Sequence, residues 1–379
     1  MNILWLSWKD ITHPDAGGAE ISGEQHAIAW TKAGHTVHWV SINYPESKQF
    51  TTKDEVEYEH LGQKWMWFLG LIHLLYCYKW LTKWQYEYDL VVDEIHGPPL
   101  LTPLYVKKPK LVIIHEVAGD IWKKTVPFPV STIMQYVIEP LFFKAYHSVP
   151  IIAGAQTTID DLKQIGVPEK NITYIPYGVT IPQLNTNYPK ENTPTLIFLS
   201  QLRPMKGFER VYHSFKVIKK QIPELKLWVV GDDTLPYGQE MKQKTLTDDR
   251  TASVTFFGKV PQEVKFELLK RAHLLVHGSY KEGWGLVVIE ANAVGTPAVV
   301  FDAAGLRDSV RHNETGFIAN NQKEFVDQVI LLLNSTYQYS RYQNAAINWS
   351  KQFRWENATK ASLALLSTLL KNPSRNYDR

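Results

Sequence analysis

The sequence predicts an α/β protein made of two doubly wound domains, and three observations carry that expectation. Its length of 379 residues suits two domains on a prior of roughly 150 residues each. Short β-branched or apolar runs alternate with amphipathic helical stretches from end to end, as in parallel sheets covered on both faces. The alternation breaks over residues 181–194, where IPQLNTNYPKENTP combines three prolines with polar residues and no periodicity, as an interdomain linker does. The expected boundaries are a first domain over 1–180, a linker over 181–194 and a second domain over 195–379. The last includes a C-terminal helix able to cross back to the first domain.

Taken in order, residues 2–7 read as a strand, 18–33 as a helix stopped by Gly34, and 36–43 as a second strand. Further strands are expected over 88–93, 110–115, 149–153 and 172–175, with helices over 129–146 and 157–165. After the linker the pattern restarts, with strands over 195–200, 225–230, 254–257, 274–276 and 298–301. Helices alternate with them over 207–220, 262–272, 284–294 and 322–333. Ligands of such sheets bind beyond the carboxyl ends of the strands, so residues just after strands are the functional candidates.

Composition narrows the class. An apolar fraction of 44% and a charged fraction of 21% exclude disordered and low-complexity chains. A formal net charge of +3 is too small to point to nucleic acid. Residues 1–180 contain no arginine and carry 15 Lys against 19 Asp and Glu, whereas 26 of the 41 basic residues follow. The second half is therefore the expected home of an anion. Cys77 is the single cysteine, which rules out an internal disulfide or a cysteine zinc site and makes a reducing, cytoplasmic location the expectation. The amino terminus has no signal-peptide pattern, and the most apolar stretch, 65–78, is shorter than a membrane span requires.

Three segments offer chemistry. The first strand leads into Asp15-Ala-Gly17-Gly18-Ala-Glu20, where small residues at a helix start present N–H groups to a phosphate, or merely make a tight turn. It is not a dinucleotide fingerprint, which argues against a dehydrogenase. Ser200-Gln-Leu-Arg203-Pro-Met-Lys206-Gly207 sets two cations at a strand end ahead of a helix N-terminus, a natural anion site. Glu282-Gly283-Trp284-Gly285-Leu286-Val-Val-Ile-Glu290 places Glu282 in a glycine loop and Glu290 one or two turns into a helix. His115 ends its strand and precedes Glu116; Asp93, Glu94 and Asp120 are weaker acidic candidates, for which surface or ion-pair roles compete.

Together these segments resemble the retaining family 4 (group 1) glycosyltransferases, over essentially the whole chain. The likeness extends to Phe257-Gly-Lys-Val260, Gly295-Thr-Pro-Ala-Val-Val, Gly305 and Asn313-Glu-Thr-Gly316-Phe. Ile175-Pro-Tyr177-Gly178-Val resembles the family hinge, with Tyr177 where asparagine is usual. The resemblance implies the GT-B fold, two Rossmann-like domains with a cleft between them. It implies that Arg203 and Lys206 bind and stabilise the donor diphosphate, and that Glu290 holds the ribose. Glu282, with the backbone N–H groups of Gly283, Trp284, Gly285 and Leu286, would hold the transferred sugar. Gly17 and Gly18 would approach the phosphate, Val260 would line the base pocket, and His115 would meet donor or acceptor.

The implied reaction moves a hexose-type sugar from a UDP-, GDP- or ADP-sugar to a hydroxyl of a glycan or lipid-linked acceptor, in surface polysaccharide or glycolipid assembly. The nucleotide sugar is a substrate; no cofactor and no metal are expected. Alternatives are a nucleotide-sugar epimerase or hydrolase, and a catalytically silent sugar-binding protein at a membrane. Residues 64–84 hold seven aromatics and three lysines in 21 residues. Trp65, Trp67, Phe68, Trp80 and Trp84 beside Lys64, Lys79 and Lys83 fit either an interfacial membrane anchor or a core helix. The Trp122–Phe128 loop has similar character, so contact with the inner face of the cell membrane is a further expectation.

Overall fold

The computed structural model describes residues 1–68, 70–183, 188–248 and 252–371, without the side chains of Trp67, Phe68 and Leu370. Residues 184–187 of the expected linker lie outside the described residues. The chain forms two compact units: Met1–Gly178 with the segment from Trp355 onward, and Val179–Arg354.

The first unit contains an eight-stranded sheet built from β1 (Asn2–Leu6), β2 (Thr36–Ser41), β3 (Phe50–Lys53), β4 (Val56–His60), β5 (Leu90–Ile95), β6 (Lys110–Ile114), β7 (Ile151–Ala153) and β8 (Ile172–Tyr174). Their spatial order is β3-β4-β2-β1-β5-β6-β7-β8. All neighbours are parallel except β3 and β4, whose antiparallel pairing corrects the expectation of a wholly parallel sheet. The hairpin turns on Asp54 and Glu55, both at positive φ (49° and 64°), as a two-residue hairpin loop requires. Sequence periodicity does not announce these strands because the segment is mostly polar, with Val56 and Tyr58 as the buried apolar positions.

Tryptophans organise the core. Trp5 stacks on Trp39 at 4.6 Å and lies 5.2 Å from Trp30. Each indole N–H finds a buried acceptor, as enclosed indoles need: Trp5 Nε1 donates to Glu94 at 2.8 Å, Trp39 Nε1 to Ser7 Oγ at 2.7 Å and Trp30 Nε1 to Ser362 Oγ at 3.1 Å. Ser362 belongs to helix Trp355–Lys371, which packs on helix Gly18–Lys32 and also brings Ser362 Oγ within 2.9 Å of His26 Nδ1. The C-terminal helix is thus part of the first unit. Gly178 lies flat against it, since a Cβ there would run into the Trp355 backbone.

Residues 64–87 split by face. Ile72, Tyr76, Trp80 and Trp84, at four-residue spacing, are buried, so of the two expected readings the core helix holds for Trp80 and Trp84, and the interfacial one does not. Trp65, Leu74, Tyr78, Leu81 and Tyr86 are exposed. Trp67 and Phe68, also expected at a membrane, have side chains outside the described residues. Among the described residues no helix is long and apolar enough to cross a membrane.

The second unit holds β9 (Thr195–Leu199), β10 (Lys226–Val230), β11 (Val254–Gly258), β12 (Leu274–His277), β13 (Ala298–Phe301) and β14 (Gly316–Ala319), ordered β11-β10-β9-β12-β13-β14 and parallel throughout. Strand alternation divides its core in two: Leu196 and Phe198 pack on one face with Phe208 and Phe215, Ile197 and Leu199 on the other with Phe266 and Val288. β9 and β12 are adjacent central strands, so the loops at their carboxyl ends meet.

Candidate active site

In the second unit, the loop after β9 makes a single 3₁₀ turn, Pro204–Lys206, and ends at Gly207 with φ +64°. The loop that follows β12 presses against it: Tyr280 N donates to Met205 O at 3.0 Å. A Cβ on Gly207 would run into Gly278 O, and one on Gly278 into Gly207 O. This backbone contact brings together residues 76 apart. Lys206 Nζ donates to both carboxylate oxygens of Glu282, at 2.8 Å each, and Ser279 Oγ donates to the same carboxylate. Burial raises the Glu282 pKa, but the charge and hydrogen bond of Lys206, together with the neighbouring His277 and Ser279, more than offset it and hold the carboxyl below its ordinary value. Neighbouring His277, enclosed by the fold, is pushed down to about 4 by burial and is neutral.

Beyond Glu282 the chain enters helix Leu286–Ala293 through Gly285, at φ +84°. The first-turn N–H groups of a helix have no intrahelical acceptors and suit hydroxyl or phosphate oxygens. Trp284 is expected to meet the donor through its backbone N–H, and the side chain is engaged elsewhere: the residue is 2% exposed and its ring packs edge-on against Phe353 at 4.8 Å. Its side chain is core; only its backbone remains for a ligand. Glu290 lies in the second turn and accepts from Lys265 Nζ at 2.6 Å. Lys265, on helix Gln262–Arg271, is not among the residues expected from sequence. Val260 packs on the same apolar layer as Val288.

The first unit has its own polar cluster at the carboxyl ends of β1, β5 and β6. Gly17 caps helix Gly18–Lys32, and its N–H donates to Glu20 at 2.6 Å, an internal capping bond. Glu20 lies 3.5 Å from Lys9 and 3.3 Å from His96 Nδ1. Burial raises the Glu20 carboxyl, and these cations with the Gly17 N–H more than reverse that, leaving it well below its usual value. His96, which directly follows β5, is absent from the sequence candidates, although the strand-end rule that selects His115 applies equally to it. Burial lowers His96, and the bond and charge of Glu20 outweigh it, so its pKa is raised.

His115 is 3% exposed and both ring nitrogens have partners. Nε2 lies 2.8 Å from Glu94 Oε1, and Nδ1 lies 2.5 Å from the Tyr177 hydroxyl. Tyr177 also stacks on the imidazole at 5.8 Å, in space that Gly154 leaves open, where a Cβ would lie 2.8 Å from the ring. Burial disfavours the charged form of each, pushing His115 down and Glu94 well up. The tyrosine that replaces the usual asparagine therefore supplies a contact to His115. Asp93 is buried too, held by Thr102 and Tyr146, whereas Asp120 is a surface partner of Lys123.

Residues 183–349 match the family described as glycosyl transferases group 1, and residues 16–181 match glycosyltransferase family 4. The chain belongs to this glycosyltransferase family. It is 30% identical over 177 residues to a D-inositol 3-phosphate glycosyltransferase of Mycobacterium leprae, covering 44% of this chain and 40% of the relative. It is 25% identical over 213 residues to a GDP-mannose-dependent alpha-(1-6)-phosphatidylinositol monomannoside mannosyltransferase of Mycobacterium tuberculosis, covering 50% and 54%. The matches thus span about half, or less, of the length of these curated relatives. Among solved structures, sucrose-phosphate synthase from Thermosynechococcus elongatus superposes with a TM-score of 0.79 at 19% identity, covering 98% of this chain and 99% of that one. The fold of this glycosyltransferase is accordingly GT-B.

Proposed function

We propose that this chain transfers a hexose-type sugar, with retention, from a nucleotide sugar to a hydroxyl of a glycan or lipid-linked acceptor. The observation that carries the reading is the Lys206–Glu282 pair, held at the carboxyl ends of β9 and β12 by a backbone contact that only glycine allows. Arg203 and Lys206 supply positive charge where negative charge builds on the departing diphosphate. Glu282 accepts from the sugar hydroxyls. The bond from the anomeric carbon to the phosphate oxygen breaks as the bond to the acceptor oxygen forms on the same side. The acceptor proton passes to the leaving phosphate, so no protein nucleophile is required, and the enclosed His115, with both ring nitrogens already partnered, fits a supporting rather than a proton-accepting role.

The test is a thermal-shift screen against UDP, GDP, ADP and their sugars, since a ligand bound by the native state alone raises apparent stability. No response to any of them at millimolar concentration would overturn the donor site. Acceptor-dependent release of nucleoside diphosphate separates a transferase from an epimerase or hydrolase.

Glu290 is assigned to the ribose. Glu290→Gln removes the charged acceptor and leaves Lys265 without its counter-ion, so nucleoside diphosphate binding is expected to weaken by about 1–2 kcal/mol. Unchanged affinity by calorimetry would restrict Glu290 to the ion pair with Lys265.

A lipid-linked acceptor is supported by the distribution of exposed apolar residues. Phe128, Val130, Ile133, Val137 and Leu141 are all exposed along residues 128–141. Lys123, Lys124 and Lys144 accompany them, and the one acid within 121–147, Glu139, is buried and accepts from Ala118 N and Gly119 N. Apolar side chains flanked by lysines suit an anionic bilayer surface. Replacing Trp65, Phe128, Ile133 and Leu141 by serine is expected to abolish flotation with anionic liposomes without lowering the melting temperature. Wild-type protein that does not float would end the membrane reading.

A further inference from the structure

Arg210 has no assigned part in the site, yet it fastens the loop that carries Glu282. It sits in the first turn of helix Phe208–Lys219, three residues past Gly207. Its Nε donates to Gly278 O at 2.5 Å and its Nη2 to Ser279 O. Its guanidinium lies between the rings of Tyr280 and Phe301, 4.3 Å from each centroid. Two donors of one rigid plane thus engage two successive carbonyls, which fixes the orientation of the peptide between them. A guanidinium can do this and a lysine ammonium cannot. The next link is Ser279, whose backbone N–H donates to His277 Nδ1 at 3.2 Å and whose hydroxyl donates to Glu282.

We infer that Arg210 is a positioning residue for donor-sugar selection: by fixing the Gly278–Ser279 peptide it holds Ser279, and through Ser279 the carboxylate of Glu282, in register with the hydroxyls of the transferred sugar. The inference rests on the reading of Glu282 as the sugar-binding carboxylate. The diphosphate is assigned to Arg203 and Lys206 on the neighbouring loop, so loosening the Gly278–Ser279 peptide is expected to disturb the choice of sugar more than the binding of the nucleotide. A site that reads hydroxyls by hydrogen bonds discriminates only as well as its acceptor is placed, and displacement by about 1 Å costs up to ~100-fold.

The experiment compares Arg210→Lys and Ser279→Ala with the wild type and with Lys206→Ala. It measures kcat/KM for two sugars of the preferred nucleotide that differ at one hydroxyl, nucleoside diphosphate affinity and melting temperature. Both positioning variants are expected to bind nucleoside diphosphate within about twofold of wild type while the preference between the two sugars narrows by about tenfold. A merely structural arginine would depress both donors equally and leave the ratio untouched; that result overturns the inference. If Arg210→Lys does not fold, Ser279→Ala carries the decision, and an unchanged ratio in it has the same force. Lys206→Ala with wild-type turnover would instead remove the donor-site reading, and the inference with it.

Discussion

Lys206→Ala is expected to lower turnover about 100-fold on saturating donor and acceptor, while the protein remains folded. Lys206 donates two 2.8 Å bonds to Glu282 and is part-exposed, so its replacement leaves a carboxylate that water can reach rather than a sealed, unpaired ion. Folding therefore tolerates the change. Catalysis does not, because stabilisation of a leaving diphosphate grows toward the transition state, and removal of one such donor costs ~3 kcal/mol by analogy with oxyanion sites. Arg203→Ala is expected to act in the same direction. There is a second signature in pH. Lys206 holds the Glu282 carboxyl below its ordinary pKa, so Glu282 stays ionised to lower pH with the lysine present. In the variant its pKa rises, and the acid limb of the rate profile should move to higher pH. Wild-type turnover in both variants on a verified donor and acceptor would refute the assignment.

Gly207→Ala should act on stability instead. Gly207 has φ +64°, and a Cβ there would run into the carbonyl of Gly278. The left-handed backbone alone costs an alanine roughly 1–2 kcal/mol, and forcing two packed loops apart adds typically about 1–3 kcal/mol. The expected outcome is a loss of about 3 kcal/mol or more from the second unit, with the nucleotide response lost as Lys206 and Glu282 separate. Gly34→Ala provides the comparison. Its φ is +89° with nothing within 4 Å of a Cβ, so only the backbone penalty applies. Denaturant midpoints for the two variants that coincide would show that the loops of β9 and β12 do not press on each other.

The parts of this site readable from sequence are those set by chain-local rules. Strand ends mark Arg203, Lys206 and His115, and the glycines around Glu282 mark a loop before a helix. What stays hidden lies in pairings across long separations. Nothing near Glu290 announces Lys265, nothing near Gly17 announces that Glu20 turns back onto its N–H, and nothing near Arg210 announces the Gly278 carbonyl. Residues 64–84 show the limit most plainly. A helix apolar nearly all round has no polar stripe to reveal its outer face, so Trp80 and Trp84, buried, read the same as Trp65, exposed. The β3–β4 hairpin is hidden for the opposite reason: edge strand β3 is polar and largely exposed, and β4 buries Glu59 and His60 beside Val56 and Tyr58, so neither strand shows an apolar alternation.

The placement of helix Trp355–Lys371 against helix Gly18–Lys32 has a consequence for synthesis. Residues 1–178 leave the ribosome first but cannot complete their fold, because Ser362, the acceptor for Trp30 and the partner of His26, is translated after the entire second unit. At ~5–20 residues per second, the nascent chain carries an uncovered face of helix Gly18–Lys32 for roughly 10–40 s. The second unit, continuous in sequence, folds in that interval. The expected order of maturation is therefore the reverse of the order of translation: the second unit can close on its own segment, whereas the first closes only when helix Trp355–Lys371 reaches it.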